Sequence, residues 1–419
     1  MALCYRTDFP ALGSHEKEGG QTSSHPLVYL DNAATTQKPS AVLEAVEGYY
    51  SDCNANPYRG VYRTSVASTR LYEGSRSIVA SFIGAQTNEI IFTRNTTEAI
   101  NLVAYSYALE NLGPNDEIAL PISEHHSNLV IWQQVCAKTG AKLVYMYPDE
   151  NGRLRDDEVE RAIGPATKLV AVAHVSNVLG TAFPVSRIAA RAHKMGAIVV
   201  ADCAQSVAHR PLDVHELGCD FAAFSGHKMY GPMGIGVLYA RADLLESMAP
   251  FMFGGEMIDS VREFHSTFEE GPKRFEAGTP NVAGAIGLAA AIDYLQRIGF
   301  DEIERIEREL TTRLLDGMRS IESVRLYGNP YPTLDRNGVV AFNVLGTSAQ
   351  DVALVLDMQN IAIRSGAHCA QPLHRKLGIE TSCRVSPCFY NTPEEIDRFL
   401  NAVEGARRAI SRRIMSMFP

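Results

Sequence analysis

Short apolar runs rich in β-branched residues recur along the first two thirds of the chain, at 28–30, 89–92, 117–120, 143–147, 168–174, 197–201, 220–224 and 236–239. Their length and composition predict strands. Between them lie stretches of helical spacing; 184–195, for example, is apolar at Val185, Ile188, Ala189 and Ala192. Strands alternating with helices predict an α/β fold, a mainly parallel sheet covered on both faces, over roughly 28–296. The pattern then changes. An Ala- and Gly-rich helix at 282–298 leads to a charged helix at 301–320, strands near 324–327 and 338–345, and helices at 349–359 and 393–415. This reads as a smaller α+β domain of residues 297–419 joined by 1–27, beside a large domain of residues 28–296. Residues 11–26, rich in Gly, Ser, His and Glu, read as a mobile surface stretch.

Composition adds exclusions. At 419 residues and 46% hydrophobic, the chain can bury a large core without staples. A net charge of −9 with no long basic run argues against a nucleic-acid or anionic-membrane surface. The apolar runs are strand-length, far short of the ~20 residues a membrane span needs. The N-terminal residues carry no apolar run of a secretory signal, so a cytoplasmic location is expected. The eight cysteines are scattered and form no Cys-x-x-Cys pair, as expected of free thiols.

The chemistry gathers where strands end. Phe224-Ser225-Gly226-His227-Lys228 closes an apolar strand, and in open α/β sheets ligands bind at carboxyl ends of strands. A lysine there is often only a solvated strand end. Here Ser225 and His227 can donate to a phosphate, and the amine can form a Schiff base with an aldehyde. Asp202, 26 residues earlier, ends another apolar strand. It is suited to cap a helix, or to pair with a protonated pyridine nitrogen; Gln205 follows three residues on. Thr96 and Thr97 open a helix whose N–H groups suit a phosphate as well as simple capping. His125 and His126 follow a strand, but adjacent histidines without a third ligand are a poor metal site, so no metal is expected. An imidazole stacked on a cofactor ring fits better. Asn177 follows a further strand and can reach the cofactor or a substrate carboxylate.

Together these residues resemble the aminotransferase class V family of fold-type I pyridoxal-phosphate enzymes, and more narrowly the SUF-type (group II) cysteine desulfurases and selenocysteine lyases. The resemblance runs from Tyr29-Leu30-Asp31-Asn32-Ala33-Ala34 to Tyr390-Asn391-Thr392-Pro393. It implies a mainly parallel seven-stranded sheet and a pyridoxal 5'-phosphate cofactor. Lys228 would be the Schiff-base lysine, His125 the stacking imidazole, Asp202 the pyridinium partner and Gln205 a contact of the phenolic oxygen. Thr96, Thr97, Ser225 and His227 would form the phosphate cup, completed by Thr279 from a second copy, which makes a homodimer the expected assembly. Ala33, Asn177, Arg364 and Arg384 would meet the substrate.

Arg364-Ser365-Gly366-Ala367-His368-Cys369-Ala370-Gln371-Pro372 separates a desulfurase from its relatives. A free cysteine is commonly a buried small hydrophobe. Small and polar neighbours here favour an accessible thiol, which as thiolate can attack a substrate sulfur. The resemblance then implies conversion of L-cysteine to L-alanine with a persulfide on Cys369, passed to a SUF-type acceptor protein for iron–sulfur cluster assembly. Selenocysteine lyase or cysteine-sulfinate desulfinase activity in the same site is the alternative. Two departures stand out: Tyr58 and Tyr62 replace two histidines common near the mouth of the site, and Ala367 stands where a histidine is frequent.

Overall fold

The computed structural model describes residues 5–13 and 26–417. Most of the surface stretch expected at 11–26 lies outside them. Eight strands are described up to residue 240: β1 (Val28–Tyr29), β2 (Ile90–Thr93), β3 (Glu117–Pro121), β4 (Lys142–Met146), β5 (Thr167–Ala173), β6 (Ile198–Asp202), β7 (Phe221–Ser225) and β8 (Gly236–Ala240). Seven form one sheet in the order β2-β8-β7-β6-β5-β3-β4. Only β8 runs antiparallel to its neighbours in this sheet. Every residue of β7 and β8 is buried, because helices cover both faces and leave no polar side to alternate toward.

The first strand is an exception to the expected sheet. β1 is two residues long and pairs in parallel with Ile361–Ala362, outside the seven strands. Too short to supply a ladder of its own, it follows the local pairing available to it. The chain continues through a hairpin, β9 (Ile258–Val261) and β10 (Ser266–Phe268), which the sequence reading missed. Its residues are mostly exposed and lack the alternation that marks a half-buried strand.

Helix Val282–Ile298 packs on helices Ser40–Asp52 and Arg63–Phe82. Beyond it, β11 (Val324–Tyr327), β12 (Val340–Val344), β13 (Ile361–Ala362), β14 (Arg364–Gly366) and β15 (Ser382–Val385) complete the strands. Four of them make an antiparallel sheet, β11-β12-β15-β14. Helices Phe300–Ser320, Ala349–Asp357 and Pro393–Met417 pack together beside it. The last strands of this small sheet meet the carboxyl ends of the large one, and the site lies along that seam.

Candidate active site

Five parallel strands deliver polar residues to one edge. Asp202 and Ser225 are the last residues of β6 and β7, while Thr96, His125 and Asn177 follow β2, β3 and β5 within a few positions. They line a cavity of about 230 Å³ together with Ala33, Thr97, His227, Lys228, Arg364, Cys369 and Arg384. Twelve of the fourteen expected site residues therefore share one wall. Gln205 and Thr279 are not in this wall. Gln205 lies one layer behind, its Nε2 donating to the Ala33 carbonyl at 2.7 Å. Thr279 is exposed on its own chain.

At one end the wall is made of hydroxyls and a helix start. Asn95 caps helix Thr96–Val103, its Oδ1 accepting from the Glu98 N–H at 3.0 Å. The Thr96 N–H donates to Ser225 Oγ at 2.8 Å, and the two hydroxyls lie 2.6 Å apart. Thr97 Oγ1 is 2.7 Å from Ser127 Oγ. This close approach depends on Gly236: a Cβ there would stand 2.6 Å from Asn95 Cα. His227 adds a buried Nδ1 without a hydrogen-bond partner. Burial and the neighbouring Lys228 hold its imidazole pKa down to about 4. A buried ring nitrogen left unpaired beside hydroxyls and a helix N-terminus fits an anionic group such as a phosphate.

Further in, Lys228 and Asp202 face each other electrostatically. Burial lowers the Lys228 pKa, opposed by the Asp202 charge. Burial raises the Asp202 carboxyl, opposed by Lys228, while Asp202 Oδ1 accepts from the Ala204 N–H at 3.0 Å. The turn carrying Lys228 is held by its preceding carbonyl. His227 O accepts from the Thr36 N–H (3.0 Å), Thr35 Oγ1 (3.0 Å) and Lys38 Nζ (3.0 Å). His125 Nδ1 accepts from the Ser127 N–H at 3.1 Å. The ring proton therefore sits on Nε2, and burial keeps the imidazole neutral with its pKa near about 3.

The opposite end is cationic. Arg364 and Arg384 are direct cross-strand partners in β14 and β15. Arg384 Nη1 donates to the Asn177 carbonyl and Nη2 to Asp31 Oδ1, both at 3.0 Å, leaving Nε buried without a partner. Cys369, partly buried, sits on the loop between β14 and helix Gln371–Lys376. His368 and Cys369 both adopt left-handed backbone, φ 48° and 55°. Three bonds fix that loop: His126 N–H to Cys369 O (2.7 Å), Asn177 Nδ2 to His368 O (2.8 Å) and Gln371 N–H to His126 Nε2 (3.2 Å). Sequence reasoning missed the Asn95 cap, Ser127 and His368 among the lining residues. Each flanks a recognised motif residue, and that adjacency was the available signal.

A lysine, an aspartate and a phosphate-sized cup at the strand ends of such a sheet define a site of the fold-type I pyridoxal-phosphate class. The aminotransferase class-V family model matches residues 28–399, and the chain belongs to that family. A probable cysteine desulfurase of Halalkalibacterium halodurans is 51% identical over 385 residues, covering 92% of this chain and 94% of that protein. The apo cysteine desulfurase structure from Thermococcus onnurineus is 45% identical with a TM-score of 0.87, covering 90% of this chain and 94% of that one. The Escherichia coli cysteine desulfurase structure, in its S-sulfonic acid form, is 39% identical with a TM-score of 0.87, covering 97% and 98%.

Proposed function

We propose that the protein is a pyridoxal-phosphate-dependent cysteine desulfurase in which Lys228 carries the cofactor and Cys369 takes the sulfur. The observation that carries this reading is one cavity lined by a half-buried lysine, a strand-end aspartate, two arginines and a cysteine on a braced loop.

When bound, the cofactor supplies an electron sink for the substrate α-carbon. Thr96, Thr97, Ser225 and His227 hold its phosphate and Asp202 its ring nitrogen, with Gln205 behind Ala33 supporting that wall. Arg384, with Arg364 and Asn177, holds the L-cysteine carboxylate through charge-assisted bonds. Ala33 bounds the substrate from the β1 side. Lys228, its pKa lowered by burial, stands at the strand end to take the α-proton. His125 carries its proton on Nε2, ready to exchange with the reacting groups. The Cys369 thiolate then attacks the substrate sulfur. An S–S bond forms as the substrate's C–S bond breaks, Cβ keeps the bonding pair and takes a proton, and alanine leaves.

The finer reading extends beyond the chain. Thr279, exposed here, completes the phosphate cup of a second copy in a homodimer. A SUF-type acceptor protein removes the persulfide sulfur for iron–sulfur cluster assembly in the cytoplasm. Residues 28–296 act as the cofactor domain, and the remainder as the domain carrying the cysteine loop. The test is a single turnover of loaded protein with L-cysteine and no reductant, followed by peptide mass mapping. One added sulfur on the Cys369 peptide and one alanine per site support the proposal. Sulfur on another cysteine, or none, overturns it.

A further inference from the structure

Two histidines beside Cys369, His368 and His374, have no part in the reaction above, yet both are buried and both reach Ser382. The direction of every bond among them can be fixed. His374 Nδ1 lies 3.0 Å from the Ala370 carbonyl, which can only accept, so Nδ1 carries the proton. His374 Nε2 is then a lone pair and accepts from the Ser382 hydroxyl at 3.0 Å. That commits the only proton of Ser382 Oγ. His368 Nε2, 3.1 Å from Ser382 Oγ and 3.0 Å from Ser382 O, must therefore donate. His368 Nδ1 is left as a bare lone pair, buried and without a hydrogen-bond partner.

The chain of bonds starts and ends on the same loop, at His368 and Ala370 on either side of Cys369. Two consecutive non-glycine residues in left-handed backbone are strained and persist only where neighbours over-determine them. We infer that His374 and Ser382 are positioning residues: through His368, whose Nε2 they fix as a donor, they hold the strained Cys369 loop. Burial holds both imidazoles neutral, so neither adds a charge beside the two arginines. The inference rests on Cys369 being the sulfur carrier.

Three variants of the full-length holoenzyme test it. His374→Leu and Ser382→Ala break the chain, whereas His374→Gln can return an acceptor at the Nε2 position. Peptide-resolved alkylation of Cys369 by iodoacetamide, without substrate, reads the loop directly. Steady-state kinetics with L-cysteine read its consequence. His374→Leu and Ser382→Ala should change the Cys369 alkylation rate at least about threefold and lower kcat by about 10–100-fold, with KM within about twofold. His374→Gln should recover most of both. Wild-type alkylation and kcat in His374→Leu, with its cofactor absorbance intact, would overturn the inference, as would a loss equally severe in His374→Gln. If Cys369→Ala kept full turnover, the sulfur-carrier reading would fail while the alkylation result still reported on the loop.

Discussion

Arg364 and Arg384 stand directly opposite each other in β14 and β15, and Asp31 neutralises only the second. Like charges paired across strands are destabilising. Arg364 has no carboxylate partner among the described residues, and Arg384 keeps a buried Nε unpaired. Two cations and one anion leave the seam one negative charge short, the charge that the carboxylate of the proposed substrate would supply.

Arg384→Ala is therefore expected to raise KM for L-cysteine by about 10–100-fold, the range for a lost charge-assisted contact of roughly 1.5–3 kcal/mol. Cysteamine, which lacks the carboxylate, should be a poor substrate of the wild type and should lose little further in the variant. Initial-rate measurements on both compounds check this. Equal losses on both would place Arg384 in the fold and not at the carboxylate.

Asp202→Asn removes the buried charge facing Lys228 while keeping the shape of the strand end. Cofactor should still bind, and kcat is expected to fall by about 10²–10³-fold, as for loss of a single preorganised electrostatic group. Absorbance of the loaded variant separates binding from turnover. An unchanged kcat would remove Asp202 from the reaction.

Gly236→Ala places a Cβ against the Asn95 backbone at 2.6–2.9 Å, at the start of the phosphate-cup helix. Backbone cannot yield as a side-chain tip can, so a cost of about 1–3 kcal/mol is expected. It should appear as a lower urea midpoint together with weaker binding in a pyridoxal-phosphate titration. A stability loss without weaker binding would separate Gly236 from the cup.

Buried histidines set the acid behaviour. Burial holds His125 at about 3, and His174 and His227 at about 4, against an ordinary value of 6.5. Between about pH 6.5 and 4 the unfolded chain binds protons that the folded one refuses, so these groups reduce stability as pH falls through that window. Glu124, pushed up to about 8 by burial, acts in the opposite sense over its own window. His174→Gln isolates one histidine. Its urea stability relative to wild type should improve by up to about 3 kcal/mol on going from pH 7 to 4. A pH-independent difference would show that His174 takes up its proton alike in the folded and unfolded chain.

Much of this site was legible in the sequence because parallel strands are apolar throughout and end abruptly in polar residues. Asp202, Ser225 and Lys228 stand out for that reason, and the sheet brings those ends to one edge. The Cys369 loop was legible from its small and polar neighbours. What could not be read was set by long-range pairing. β1 joins β13 across more than 300 residues, and nothing in Val28-Tyr29 itself selects that partner. The opposition of Arg364 and Arg384 depends on the register of two strands, and the His368–Ser382–His374 chain on a turn between them. Neither leaves a periodic signal.

The central claim is that Cys369 accepts the sulfur, and the most direct test is alanine and sulfide release from L-cysteine with a reductant present. Wild type is expected to yield the two in equal amounts, and Cys369→Ala neither, while that variant still binds cofactor. Full production of both by Cys369→Ala would contradict the account and leave the cavity as that of a lyase of another kind.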